Sequence, residues 1–345
     1  MKGESMQIAV VSGPGEVELR ETQRPSCGPG QVLVELAGCG LCTFDRRLFS
    51  GETPIYPTAA GHEPAGRVIE VGHAVAGLPG TPQLGDLVTL DMRNRCGTCA
   101  ACRRGRSAIC LASQSRDRAD GLISIAGGLA EVIAVGADHA WVVGEIPTDH
   151  AAMGEPIACV AHSMRRGGFC PGDRVTVIGG GYMGRLHLAM TKAAGAVSAG
   201  IVEVSEQRRA EATAAGANWT ASPETAGDLG GASDVVFVTA GGPGVLELAV
   251  DLLAKGGSAV LYGAFGEDVS VRVGPNHVHH EETSIIGVHS HEPEDWRTAA
   301  GLLSSGALAA DLEALVTARF SLGEVTEGFR LADAEPVYRV IVGGP

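Results

Sequence analysis

Aromatic side chains are scarce in this chain, at 4% of 345 residues. That leaves little material for a greasy channel around a long apolar ligand. Basic charge is also short: 26 Lys and Arg stand against 40 Asp and Glu, a net charge of −14. Phosphate backbones need a basic face, so no nucleic-acid partner is expected. The small basic cluster Arg103, Arg104 and Arg106 reads as a solvated loop. No apolar run approaches the roughly 20 residues of a membrane span, so no membrane partner is expected either. The opening stretch MKGESMQIAVVSG lacks a signal-peptide core and cleavage site, which points to the cytoplasm. There is no internal repeat and no low-complexity segment. What is present is 45% apolar and 19% charged residues, the balance of a globular chain with length for two cored domains. Nine cysteines in a reducing compartment stay thiols, and clustered ones become candidate metal ligands.

The stretch from Val175 to Ala189 organises the rest. An apolar run with Val175, Val177 and Ile178 meets Gly179, Gly181 and Gly184, and a helix-compatible segment follows. Glycine at the first position permits a tight turn, and at the second it lets backbone approach a pyrophosphate. At the third it lets the helix pack on its strand. The helix N-terminus then offers free N–H groups and positive dipole to the phosphates, with Tyr182 and Met183 beside them. A second strand, Ala199–Val204, carries Glu203 where an acid that holds ribose hydroxyls is expected. Glu203 predicts NAD over NADP, because it would repel a 2′-phosphate. Arg208 and Arg209, five and six residues on, are cofactor-side cations that point partly to solvent.

From Met6 to about Val143 short apolar strands alternate with turns; Gln7–Val11, Val32–Ala37, Gly66–Val71, Asp86–Leu90 and Ala130–Val135 are the clearest. Proline and glycine clusters punctuate them, the pattern of a compact, mostly antiparallel, barrel-like domain. From Glu155 strands alternate with helices. A helix to Arg166 precedes strand Arg174–Ile178, and strand Ala199–Val204 is followed by helix Glu206–Ala215 and strand Asp234–Thr239. Helix Val245–Ala254, strand Ser258–Tyr262 and a strand near Ser284–Gly287 complete the series. Such alternation makes a parallel, doubly wound α/β sheet. The tail, ending on Tyr338–Val342, is expected to rejoin the first domain. The predicted boundaries are 1–153 with 290–345, and 154–289.

Cys96, Cys99, Cys102 and Cys110 are spaced C-x2-C-x2-C-x7-C on a loop. Four thiolates can close around one tetrahedral structural zinc; an iron–sulfur cluster is the other metal such thiols serve. A second group is scattered: Cys42, then His62 and Glu63 in Gly61-His-Glu-Pro64, then Glu155. A thiolate, an imidazole and a carboxylate leave a fourth position open, the composition of a catalytic zinc site. Asp45 can accept the spare N–H of His62. Singly, each has a plainer reading as core filler, turn residue or helix-start acid.

Gly61-His-Glu63, Gly85-Asp86, the four-cysteine loop, Gly127-Gly-Leu-Ala-Glu131, Glu155-Pro156 and the late glycine turn occur in this order. Together they resemble the zinc-dependent medium-chain dehydrogenase/reductase family over nearly the whole chain. Glu155-Pro156-Ile157 and His162-Ser-Met-Arg-Arg-Gly-Gly168 are most similar to its polyol (sorbitol-type) and threonine dehydrogenase branches. The resemblance implies a GroES-like catalytic domain, a Rossmann domain and NAD(P). It also implies two zinc ions per chain, the catalytic one held by Cys42, His62 and Glu63 or Glu155, and a homodimer or homotetramer. Hydride transfer between a secondary alcohol (a polyol, sugar alcohol or cyclitol) and NAD(P) is the expected reaction, with a threonine-type amino alcohol as the alternative. A zinc-free reductase and a non-catalytic cofactor-binding protein of the same fold are the rivals. One departure stands out: the family's relay hydroxyl two residues after the cysteine is Phe44 here, and its relay histidine is Arg47. Thr43 is the nearby hydroxyl.

Cys39 and Cys170 read as core thiols, Cys27 as a loop thiol, and Cys159 either faces the nicotinamide or packs. Histidines 277, 279, 280, 289 and 291 read as surface residues or an adventitious metal-binding group, with a place for His289 or His291 at the cleft rim as the lesser reading.

Overall fold

The computed structural model describes residues 4–112, 116–117, 121–124, 126–229, 232–266, 268–334 and 337–344. Contacts divide the chain into two compact units, Met1–Ile157 with Glu292–Pro345, and Ala158–His291. The first division falls inside the continuous helix Gly154–Gly167.

In the first unit, seven strands form one sheet. Ala140–Val142, Leu87–Leu90, Glu63–Val71, Gln31–Gly40, Arg339–Val342 and Val316–Phe320 follow in hydrogen-bonded order, and Val132–Gly136 also pairs with Gln31–Gly40. Alternating apolar residues bury one face: Val32, Val34, Val68, Val88 and Leu90 pack with Ile8 and Val10 of strand Ser5–Gly13. That strand belongs to a second sheet with Glu16–Gln23, Thr58–Ala59, Ile123–Ser124 and Arg116–Asp117. A second core gathers Leu48, Phe49, Leu129, Phe329 and Val342 beneath helices Thr43–Ser50 and Val325–Ala334. The returning strand Arg339–Val342 pairs with Gly40 through Ile341, so the tail completes this sheet.

The second unit holds a six-stranded, all-parallel sheet. In sequence order its strands are Arg174–Ile178, Ser198–Val202, Trp219–Ala221, Ser233–Val238, Leu253–Leu261 and Ser284–Gly287, and in space they run third, second, first, fourth, fifth, sixth. That is the doubly wound dinucleotide-binding order, with its switch point beside the first strand. Two expectations shift. Helix Val245–Asp251 stops three residues early, and Leu253 opens the fifth strand. Strand Ser198–Val202 ends one residue before Glu203.

Candidate active site

Strand pairing builds the first cluster. Gly40 sits opposite Glu63 in the register of their two strands. Two residues beyond Gly40 the chain turns into helix Thr43–Ser50, and Cys42 is its N-cap. Asp45, fully buried, is the organiser. Its carboxylate accepts the N–H of Cys42 at 3.0 Å and the N–H of Gly61 at 3.0 Å. It also stands 3.6 Å from Nδ1 of His62. One side chain therefore fixes the backbone at Cys42 and the turn before His62, and faces the imidazole as a counter-charge. Ligand atoms of Cys42, His62 and Glu63 lie within 4.8 Å of one another. Glu155 lies outside that trio, half-buried on the first turn of helix Gly154–Gly167.

The trio is electrically strained without a cation. Glu63 is 1% exposed, and neither of its carboxylate oxygens accepts a hydrogen bond. Burial pushes its carboxyl up to about 7 against the pull of Arg339 and His62, with Glu155 and Asp45 adding to the rise. Burial also penalises the charged form of His62, but the Asp45 carboxylate, the Cys42 thiol and Glu155 outweigh it and hold the imidazole well above its ordinary range. A half-buried thiol, an imidazole and a buried carboxylate that accepts no hydrogen bond, converging on one point, fit a divalent metal.

Arg339 was not among the residues expected from sequence. It is buried, donates to the Leu41 carbonyl at 2.6 Å and stands 3.3 Å from Glu63. A charged residue inside the otherwise apolar strand Arg339–Val342 was the available signal, since buried charges require partners. Thr43 is exposed, and Phe44 is half-buried with its ring edge-on to His62 at 6.2 Å. Arg47 is exposed and stands 3.5 Å from Glu52.

The four sulfurs of Cys96, Cys99, Cys102 and Cys110 also lie within 4.8 Å of one another, as free thiols. Cys96 Sγ is 3.5 Å from Cys110 Sγ and 4.0 Å from Cys102 Sγ. Those spacings bracket the sulfur–sulfur edge of about 3.8 Å implied by a tetrahedron of ~2.3 Å zinc–sulfur bonds. Backbone N–H groups point at the sulfurs: Cys99 at Cys96 (3.3 Å), Cys102 at Cys99 (3.5 Å) and Ala112 at Cys110 (3.3 Å). The first of these leads the donors that hold the Cys96 thiol down at about 5, while burial and the neighbouring thiols of Cys110 and Cys99 push Cys102 up to about 12. Amides arranged to stabilise thiolate charge fit a thiolate-bound metal.

In the second unit, Gly179 ends the first strand's turn at φ 105°, a left-handed region costly to any side chain. A Cβ on Gly184 would lie 1.8 Å from the Gly179 carbonyl oxygen, so the turn closes on its own helix there. Gly181 differs. Its φ of −71° and ψ of −170° suit any residue, and a Cβ would meet only Arg208 Nη1, at 4.0 Å. Nothing in the protein requires glycine at 181, so the open space above it is what a close-approaching ligand would use. Gly181 is also the N-cap of helix Tyr182–Ala193 with no side chain capping it, which leaves its first amides available.

Glu203 is buried, and its carboxylate accepts the N–H of Gly180 at 2.6 Å and of Ser205 at 2.9 Å. Arg208 and Arg209 are both half-buried. Arg209 donates to the carbonyls of Glu203 (2.7 Å) and Val204 (2.9 Å). Cys159 is buried, within 4.8 Å of buried His291. His277, His279, His280 and His289 are exposed. Cys39 is buried, and its thiol is pushed well up, first by burial. Cys170 is exposed, contrary to its reading as a core thiol, because it lies in the turn after Gly168.

Fold and site define a metal-dependent dehydrogenase with a dinucleotide domain. Residues 28–148 match the alcohol dehydrogenase GroES-like domain, and residues 183–305 match the zinc-binding dehydrogenase domain. The chain is 30% identical to D-altritol 5-dehydrogenase of Agrobacterium fabrum, over 93% of this chain and 94% of that one. It is 29% identical to L-threonine 3-dehydrogenase of Pyrococcus furiosus, over 94% of each. A zinc-binding dehydrogenase from Sinorhizobium meliloti, solved with NADP bound, superposes with a TM-score of 0.87 at 28% identity, covering 98% of this chain and 99% of that one. The chain belongs to the zinc-dependent medium-chain dehydrogenase family, and it is an NAD(P)-dependent alcohol oxidoreductase. No helix among the described residues is long and apolar enough to cross a membrane.

Proposed function

We propose that this enzyme interconverts a polyhydroxylated secondary alcohol and its ketone, with NAD as the preferred cofactor. The observation that carries the reading is the convergence of Cys42, His62 and the unbonded, buried carboxylate of Glu63. These three would hold the catalytic zinc, and Glu63 takes the carboxylate role ahead of Glu155 because its oxygens lie with the thiol and imidazole. Bound there, zinc supplies Lewis acidity that lowers a hydroxyl's pKa, and the nicotinamide supplies the hydride acceptor.

The chain's own residues do the positioning. Asp45 keeps Cys42 and His62 in place, and Arg339 faces Glu63, offsetting part of its buried charge. Glu155 adds negative potential around His62 and Glu63. Thr43, exposed directly after Cys42, is the hydroxyl that passes the substrate proton to water. Gly179, Gly181, Tyr182, Met183 and Gly184 receive the pyrophosphate. The spare lone pairs of Glu203 take the ribose hydroxyls, and Arg208 flanks the turn. Cys96, Cys99, Cys102 and Cys110 would hold the structural zinc.

Polyol chemistry is supported by the altritol-oxidising relative. It also fits a carboxylate ligand, which keeps more hydrogen-bonding capacity near a metal than a thiolate does. The threonine dehydrogenase relative favours a second reading, an amino-alcohol substrate. We place the catalytic domain at 1–153 with 290–345 and the dinucleotide domain at 154–289, boundaries two to four residues from the contact division. The enzyme works in the cytoplasm as a homodimer or homotetramer; strand Ser284–Gly287 closes the parallel sheet with Ile285 39% exposed, an edge that a second copy could extend.

The test compares rates with NAD across sorbitol, xylitol, an inositol, threonine, ethanol and a long-chain primary alcohol. Polyols should be the fastest. Fast threonine oxidation would move the assignment to the amino-alcohol reading, and fast primary-alcohol oxidation without polyol turnover would overturn both.

A further inference from the structure

Helix Tyr182–Ala193 begins on the glycine turn, and its buried face is apolar apart from a few polar residues, among them His187. The His187 side chain has no exposed surface, and both ring nitrogens are engaged. Nδ1 lies 2.7 Å from the carbonyl oxygen of Met183, and Nε2 lies 2.6 Å from the hydroxyl of Ser163. The ring of Phe237 packs against it at 4.9 Å, and the ring of Tyr262 meets it edge-on at 4.8 Å. Three elements are thereby joined to the phosphate-binding helix: helix Gly154–Gly167 through Ser163, strand Ser233–Val238 through Phe237, and the end of strand Leu253–Leu261 through Tyr262.

A carbonyl only accepts, so Nδ1 carries the ring proton and Nε2 is the acceptor. The Ser163 hydroxyl donates to Nε2, with the Val160 carbonyl as its alternative acceptor at 2.9 Å. Burial holds the imidazole down at about 4, so it stays neutral at ordinary pH. A leucine or alanine would fill this space without burying a polar ring. What the polar pair adds is direction: the Ser163 hydrogen bond fixes the ring against helix Gly154–Gly167, and the Nδ1 hydrogen bond ties that ring to the Met183 carbonyl one turn earlier in its own helix. Met183 lies between Gly181 and Gly184, within the turn whose amides receive the pyrophosphate. Small displacements there misaim those amides, and misplacement of about 1 Å is costly at a binding site.

We propose that His187 is a positioning residue for the dinucleotide, holding the first turn of the phosphate-binding helix by tethering the Met183 carbonyl to Ser163. This rests on the NAD(P)-binding reading of the glycine turn.

The experiment is a fluorescence titration of the full-length, zinc-loaded enzyme with NADH, without substrate, for wild type, His187→Leu, His187→Asn and Ser163→Ala. His187→Leu should raise the NADH Kd about tenfold, or ~1.4 kcal/mol. Its cofactor KM should rise by a similar factor, with kcat at saturating cofactor within about twofold of wild type. Asparagine places an amide N–H where Nδ1–H stood but cannot reach Ser163, so His187→Asn should recover only part of the affinity. Ser163→Ala, which keeps the Met183 bond and loses the same link, should match it. A folded His187→Leu with wild-type Kd overturns the proposal, as does His187→Asn no tighter than His187→Leu. Should His187→Leu not fold, wild-type Kd for Ser163→Ala refutes it equally. A wild type that binds neither NADH nor NADPH overturns the cofactor reading itself, a result plainly distinct from a normal wild type with unperturbed variants.

Discussion

Gly181→Ala and Gly184→Ala should fail in different ways. At 184 the new Cβ would sit 1.8 Å from the Gly179 carbonyl oxygen, a backbone atom that cannot swing aside. The turn must open, and overpacking of this kind costs about 1–3 kcal/mol or more. Gly184→Ala should therefore lose both melting temperature and cofactor affinity. At 181 the backbone lies in a region open to every residue, and the nearest atom to a Cβ is Arg208 Nη1 at 4.0 Å. Folding stability should hold within about 0.5 kcal/mol, as for substitutions that break no contact. The methyl nevertheless occupies the space through which phosphate approaches the helix amides. Losing one hydrogen bond to a charged group costs roughly 1.5–3 kcal/mol. At about 1.4 kcal/mol per decade, the NADH Kd should rise ~10- to 100-fold. Thermal unfolding and isothermal titration with NADH read the two quantities separately. Gly181→Ala with wild-type affinity would refute the placement of the pyrophosphate, and an unchanged melting temperature for Gly184→Ala would refute the close-packing argument.

Other outcomes follow from the same geometry. Metal analysis should find two zinc ions per chain; Cys99→Ser should lose one and lower the melting temperature, whereas Cys42→Ser should keep the fold and abolish turnover. One zinc or none in active wild-type protein contradicts this. NAD should give a higher kcat/KM than NADP because Glu203 repels a 2′-phosphate, and comparable values would remove that role from Glu203. His187 has a folded-state value of about 4, below the ordinary 6.5 of the unfolded chain. Its contribution is complete above 6.5 and is lost as pH falls towards 4, up to about 3 kcal/mol. A denaturation series between those limits should show a shallower pH slope for His187→Leu than for wild type, and identical slopes would refute it.

Much of this architecture was legible in the sequence, and the exceptions have physical reasons. Strand Arg174–Ile178 was found to the residue because β-branched residues end abruptly at a glycine that needs positive φ. The boundary near Leu252 was not. Leu252 and Leu253 are both buried, one capping a helix and one opening a strand, and a short apolar run carries no period to separate them. Cys42, His62 and Glu63 were visible as ligand types, but their meeting depends on the pairing of Gly40 with Glu63, which spans 23 residues of sequence. Glu155 offers the same ligand chemistry in sequence but lies outside that trio, and no local pattern distinguishes a helix-start acid from a metal-facing one. Arg339 and His187 belong to no sequence motif, and their partners, Glu63 and Ser163, are distant in sequence.

The central claim is a metal-dependent oxidation of a polyol by NAD, and one paired measurement addresses it. Nicotinamide reduction is followed with the best polyol of the panel in wild-type enzyme, after removal of zinc by a chelator, and after zinc is restored, with zinc content measured on the same samples. Reduction of NAD that disappears with the metal, returns with it and is absent in Cys42→Ser is the predicted result. Polyol turnover that survives complete loss of zinc, or that persists in Cys42→Ser, would contradict it.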